Sequence, residues 1–295
     1  MKKTIITILA LAGVASAFDD TIWTFEDSLA SKEGDGLHTA LNVSYGTTKN
    51  TTWTTAEAVY AESGLTIGTK VGNYYLDSNL GKAVSLSDGY YIKIGDAYWT
   101  DQAGKIGTVS QMVHENNSWK VDTVNTYTNS YTLMAWVKFD TITSAAIFGA
   151  GAATDRGVAL KIQDGNKIDL CCKGNKDNPS GTLTLLKDTW YNIALTYDSK
   201  TDTARYYLNG QQVAVDTTIE NFRYAGGTGS AIGSGAADTN NEVMSGDIAE
   251  FKILSGALTQ AEILKAAHLT TVPEPTTATL SLLALAGLAA RRRRK

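Results

Sequence analysis

Residues 190–215 read WYNIALTYDSKTDTARYYLNGQQVAV, and the large apolar side chains in this stretch fall on alternate positions. Tyr191, Ile193, Leu195 and Tyr197 share one side, with Asn192, Ala194 and Thr196 on the other. This period of two marks a strand with one buried face, whereas a helix would scatter the four large residues around its circumference. Residues 198–203 are polar and turn-forming, after which Ala204, Tyr206 and Leu208 alternate with Arg205 and Tyr207. Asn209-Gly210 follows, two residues that tolerate positive φ, and this dipeptide between alternating runs is the strongest local signal for a hairpin. The chain then returns through Gln211 to Val215, with Val213 and Val215 expected on the apolar face.

Outward from this hairpin, the pattern W-Y-x-x-A-x-x-Y-D, a polar turn and Y-x-N-G-x-x-V resembles the laminin-G-like branch of the concanavalin A-like lectin and glucanase superfamily. Residues 131–139 (YTLMAWVKF) resemble the family's early inner strand, with Trp136 at the usual place. Residues 244–258 (MSGDIAEFKILSGAL) resemble its closing strand, except that Ala249 stands where an acid commonly precedes Glu250. The resemblance covers residues 131–267 and implies an all-β, two-sheet antiparallel jelly roll. Earlier in the chain, Ile22-Trp23-Thr24-Phe25 resembles the strand that pairs beside the closing strand. Residues 81–92 (GKAVSLSDGYYI) resemble one further family strand, with Leu86 and Ser87 replacing an aromatic and an acid.

The two ends read as addresses. Lys2 and Lys3, an apolar run over residues 5–14 and the A-x-A site Ala15-Ser16-Ala17 form a secretory signal over residues 1–17. Signal peptidase is the implied partner. Residues 271–295 hold Pro273-Glu274-Pro275, an apolar run from Ala278 to Ala290 and a terminal RRRRK. This order resembles the PEP-CTERM sorting signal of exopolysaccharide-producing Gram-negative bacteria, which implies processing by an exosortase-type membrane protease. As a helix the apolar run spans roughly 20 Å against a hydrocarbon core of roughly 30 Å, a marginal and transient anchor. The basic end fixes orientation, leaving the body on the far side of the inner membrane.

Between the signals, residues 18–270 form one expected domain, long for an average domain but ordinary for a large β-sandwich. Setting aside the seven basic residues Lys2, Lys3 and 291–295, together with Glu274, leaves 19 basic against 29 acidic residues. A surface this acidic argues against nucleic acid and anionic lipid as partners. Residues 42–75 read as loops and short edge strands, and residues 95–129 as rim loops or an extra strand pair. Val158, Leu160 and Ile162, then Asp164-Gly165-Asn166, then Ile168, Leu170 and Cys172 give a second hairpin. The one helix expected between the signals is residues 260–267, with Thr259 and Glu262 at capping-box spacing, covering an end of the sandwich.

Catalytic patterns are missing. The superfamily's glucanases place paired glutamates on one face of an E-x-D-x-E strand, and no such triplet occurs here. Glu57 and Glu62, and likewise Asp247 and Glu250, have odd spacings that put them on opposite faces of a regular strand. His38, His114 and His268 lack metal-ligand spacing, and adjacent Cys171 and Cys172 could bond only through a strained turn, so two thiols, one buried, are the expectation. Asp155, Asp238, Asn240, Asn241 and Glu242 are possible oxygen ligands for calcium, but without EF-hand spacing, and no cofactor is expected. Residues 95–101 (GDAYWTD) combine aromatic platforms with hydroxyl-binding acids, which makes Asp96, Tyr98, Trp99 and Asp101 the carbohydrate-contact candidates; packed core aromatics are the competing reading. The expectation is an exported, non-catalytic surface or matrix protein whose jelly roll binds a glycan or exopolysaccharide. A structural matrix protein without a small-ligand site and a divergent glycoside hydrolase remain the alternatives.

Overall fold

The computed structural model describes residues 21–26, 29, 44–49, 52–94, 112–115, 118–121, 130–143, 145–150, 158–163, 167–171, 181–198, 200–201, 203–217, 230–235 and 242–271. The secretory signal with Ala15 and Ala17, and the tail with Pro273, Glu274 and Pro275, lie outside them. Among the described residues the first strands are β1 (Thr21–Trp23), β2 (Ser44–Lys49), β3 (Thr52–Thr55), β4 (Tyr60–Glu62), β5 (Lys70–Val71), β6 (Tyr74–Leu76), β7 (Lys82–Ser85), β8 (Tyr91–Ile94), β9 (Met112–Glu115) and β10 (Ser118–Val121). After these come β11 (Tyr131–Phe139), β12 (Ala145–Ala150), β13 (Val158–Gln163), β14 (Lys167–Cys171), β15 (Gly181–Thr182), β16 (Trp190–Asp198), β17 (Thr203–Leu208), β18 (Gln211–Asp216), β19 (Ser230–Ile232) and β20 (Gly246–Ser255). Helix α1 (Gln260–Ala266) and β21 (Leu269–Thr270) close the described chain.

The hairpin expected from residues 190–215 is present. Ile193 pairs with Leu208 and Tyr197 with Ala204, while Asn209 and Gly210 turn the chain at φ 51° and 74°. With β11 and β20 these strands build the first sheet, in the order β18-β17-β16-β11-β20-β7-β4, with β1 also pairing β20. The second sheet runs β15-β14-β13-β12-β19-β8-β2-β3. The inward residues of both form one core, in which Leu133, Ile193, Leu195, Tyr206 and Phe251 of the first sheet meet Ile92, Phe148, Leu160 and Ile168 of the second. Each such side chain contributes about 1.5–3 kcal/mol by leaving water. The strand-to-strand pairings of the two sheets among the described residues are antiparallel, giving the two-layer sandwich of a jelly roll.

Several expectations need correction. The other face of β16 is also buried: Asn192, Ala194 and Thr196 are nearly inaccessible. The reason is a second apolar layer, in which Met134, Trp136, Ala194, Tyr207 and Ala249 of the first sheet meet Leu76, Ile263, Ala267 and Leu269. Helix α1 and the small sheet β21-β6-β5 therefore lie over the outer face of the first sheet rather than over an end of the sandwich. Thr259 and Glu262 do form the expected capping box. Residues 81–92 are not one strand: β7 belongs to the first sheet and β8 to the second, joined through a 3-10 turn at Ser87–Gly89. Residues 112–121 contain the paired strands β9 and β10.

The phase of β18 is also reversed. Tyr207 pairs with Gln212 but Tyr206 with Ala214, so Val213 is an extra residue, a β-bulge. Beyond it Ala214 and Asp216 turn inward opposite Tyr206 and Ala204, leaving Val213 and Val215 exposed. A period-two pattern loses its phase at any such insertion, which is why the sequence placed the valines on the wrong face.

Candidate functional site

The outer face of the second sheet carries an aromatic and cationic group that the covered first sheet has no room for. On β8 the inward Ile92 and Ile94 alternate with Tyr91 and Lys93, which project outward. Strand β3 brings Trp53 beside them, its ring 4.8 Å from that of Tyr91 at 60°, with Lys93 Nζ 5.8 Å from the Trp53 centroid. The approach depends on Gly46 of β2. A Cβ there would lie 2.9 Å from Trp53 Cζ2 and 2.0 Å from the Thr54 carbonyl oxygen. Trp53 is half-buried and Tyr91 fully buried, so the tryptophan is the part of the pair within reach of solvent.

Around this group the polar side chains are held in place. Lys161, buried, forms an ion pair with Glu242, whose carbonyl accepts from Ala146 N at 2.7 Å. On the inward side Tyr45 stacks on Tyr90 at 4.9 Å and donates to the Ser85 carbonyl at 2.7 Å. Burial, reinforced by the neighbouring Tyr90, pushes the Tyr45 phenol up to about 12, so it remains a neutral donor.

The expected contact residues Asp96, Tyr98, Trp99 and Asp101 lie outside the described residues. Their chain leaves directly from Ile94, the end of the strand that carries Tyr91 and Lys93. Trp53 and Tyr91 were not singled out in the sequence, although Thr-Trp-Thr in an alternating run was an available signal. Of the calcium candidates, Glu242 is engaged by Lys161, and Asp155, Asp238, Asn240 and Asn241 lie outside the described residues. Among the described residues no cluster of three or more His, Cys, Asp or Glu is placed to hold a metal. His268 packs near Glu250 and Asp77; His38 and Cys172 lie outside, and of His114 and Cys171 only the strand positions are described.

The argument that spacing separates Asp247 from Glu250 does not hold. Trp136 pairs with Glu250 and Val137 with Ile248, which leaves Ala249 as a bulge, so both acids face the outer layer. Their chemistry separates them instead. Asp247 is bound to Lys138 at 2.7 Å and Glu250 to Lys252 at 2.9 Å, so each carboxylate is neutralised by its own lysine. A retaining or inverting glycosidase needs one such group free as an acid and the other as nucleophile or base.

Residues 114–264 match the model of the concanavalin A-like lectin/glucanases superfamily, and residues 271–295 match that of the PEP-CTERM protein-sorting motif. Domain 4 of an extracellular arabinanase from Geobacillus stearothermophilus, solved with arabinotriose, aligns over 84% of this chain and 97% of its own, at 19% identity and a TM-score of 0.50. The CBM40 of the Ruminococcus gnavus IT-sialidase, bound to α2,3-sialyllactose, aligns over 47% of this chain and 82% of its own, at 16% identity and a TM-score of 0.39. At such identities the likeness is one of fold. None of the curated proteins matches the chain.

Proposed function

Because the chain belongs to the concanavalin A-like lectin/glucanases superfamily, we propose that its jelly roll is an exported, non-catalytic glycan-binding domain, carried to the surface or matrix on a PEP-CTERM tail. The observation that carries this reading is Trp53 on the outer face of the second sheet, flanked by Tyr91 and Lys93. A pyranose ring presents an apolar C–H face and a rim of hydroxyls, which an indole face and a nearby ammonium complement. Asp96, Tyr98, Trp99 and Asp101 are kept in this reading as the contact candidates of the sequence. The neutralised pairs Asp247–Lys138 and Glu250–Lys252 favour binding over turnover.

Residues 1–17 act in this reading as the export signal, and 271–295 as a transient membrane anchor read by an exosortase-type protease. Affinity electrophoresis through gels containing arabinan, β-glucan or bacterial exopolysaccharide tests the binding. At least one polymer should retard the protein, and Trp53→Ala and Trp99→Ala should each abolish the retardation while circular dichroism still reports a folded sandwich. Sustained release of reducing ends, lost with a single Asp or Glu substitution, would make the protein a hydrolase and end the proposal.

A further inference from the structure

The layer over the first sheet holds the root of the sorting tail, and its outward side differs from the rest of the surface. In the small sheet Lys70 pairs with Tyr75, and Tyr75 with Thr270. Their strand neighbours Val71, Leu76 and Leu269 are buried against the first sheet, so this cross-strand row faces outward. Lys70 is exposed, and Tyr75 and Thr270 are half-buried. The turn before β5 presents Ile67 at 65% exposure, the most exposed large apolar side chain among the described residues. That turn is held in place: Ile67 N donates to Asn79 Oδ1 at 2.9 Å, Gly68 N to the Leu76 carbonyl at 2.8 Å and Thr69 N to the Thr66 carbonyl at 2.9 Å. An apolar side chain fixed in this way loses little further freedom when it meets a partner.

Residues 64–80 and 257–271, which contribute this layer, carry Lys70 and Lys265 against Asp77 and Glu262. Charge balances here, whereas the body as a whole has 29 acids against 19 bases. A balanced surface with an apolar tip, a tyrosine and a long-stemmed lysine suits the boundary between headgroups and hydrocarbon, where tyrosine is enriched and lysine reaches back to the polar side. Chain length names the occupant. Residues 272–277 alone separate Thr271 from the apolar run that starts at Ala278, and even extended they span roughly 20–25 Å. Tyr75 and Thr270 are therefore kept close to whatever bilayer holds that run. The Trp53 face lies two layer spacings away, about 20 Å farther out.

We propose that this layer is a membrane-docking surface. In the tail-anchored chain Ile67, Lys70 and Tyr75 seat on zwitterionic phospholipid and hold the Trp53 face away from the bilayer, open to polymer. This rests on the reading of residues 271–295 as a membrane anchor.

The test uses residues 18–295, the chain that signal peptidase would leave, in phosphatidylcholine vesicles. In a Cys171→Ser, Cys172→Ser background shown to be folded by circular dichroism, a fluorophore is attached at Asn73→Cys or at Thr55→Cys. Asn73 is exposed in the turn between β5 and β6, and Thr55 is exposed on β3, where its partner Gly46 also pairs with Tyr91. Lipids carrying a nitroxide on the headgroup should quench the label at 73 about threefold more than the label at 55, given the layer spacing between them. Ile67→Ser removes the apolar tip and should cut that contrast by about half. Equal quenching at the two positions overturns the proposal, as does a contrast that Ile67→Ser leaves unchanged, which the tail alone would produce. Failure of the chain to float with the vesicles overturns the anchor reading and the proposal with it. Glycan binding at Trp53 is judged separately, by retardation in polymer gels.

Discussion

Gly210→Ala tests the hairpin and the layer above it together. Gly210 sits at φ 74°, where an L side chain is strained by about 1–2 kcal/mol. An added Cβ would also come within 2.2 Å of Leu264 Cδ2 and 3.1 Å of its Cγ, with Leu269 Cδ1 at 3.6 Å. The nearest atom is the tip of a flexible side chain, so Leu264 escapes by leaving its rotamer, at about 1 kcal/mol. The total is about 2.5 kcal/mol, which at a urea m-value of about 3 kcal/mol/M lowers the midpoint by about 0.8 M. The Leu264→Ala background separates the two parts. With the collision removed, Gly210→Ala should cost only the backbone strain there, a coupling of about 1 kcal/mol. A cost below about 0.5 kcal/mol would refute the positive-φ turn, and equal costs in both backgrounds would refute the seating of α1 over it.

Lys252→Met leaves Glu250 buried beside an apolar neighbour and should cost about 3–5 kcal/mol in urea unfolding, whereas Lys252→Met with Glu250→Gln should recover most of it. A single-variant cost under about 1 kcal/mol would mean that the pair is hydrated rather than enclosed. Tyr45 predicts an alkaline dependence: above pH 10.0 the unfolded chain releases its proton while the folded phenol keeps it until about 12, so stability falls across that window. Tyr45→Phe should flatten the decline relative to wild type, and parallel curves for the two proteins would contradict the burial of the phenol.

How much of this was legible in sequence follows from what period-two alternation encodes. It reports which residues share a face, and so Tyr191, Ile193, Leu195 and Tyr197 were correctly grouped and the Asn209-Gly210 turn correctly placed. The resemblance also placed β1 beside β20. Alternation does not report what covers the opposite face. Ala194, Met134 and Trp136 are buried by α1 and β21, elements that pack across the sheet and leave no mark in the local pattern. Bulges are equally silent, since one extra residue at Val213 or Ala249 changes neither composition nor propensity. The cap at Thr259 was legible because it is a contact within four residues. The meeting of Trp53 with Tyr91, and of His268 with Glu250 and Lys252, was not, because each brings together residues from different elements of the chain.

The way the described chain ends has a mechanical consequence. Strand β21 is joined to β6 by only two residue pairs, Leu269 with Leu76 and Thr270 with Tyr75, and the sequence continues from it into the sorting tail. Tension drawn through that tail is taken up first by these two pairs and next by α1. The nine-residue contact of β11 with β20 lies further along the load path. Pulling would therefore strip the outer layer and expose Trp136 and Met134 while the interior between the sheets stayed closed. For any pull applied at the end of β21, the outer layer is the element expected to yield first, and a tug too weak to unfold the sandwich would register as a lengthening of the lead.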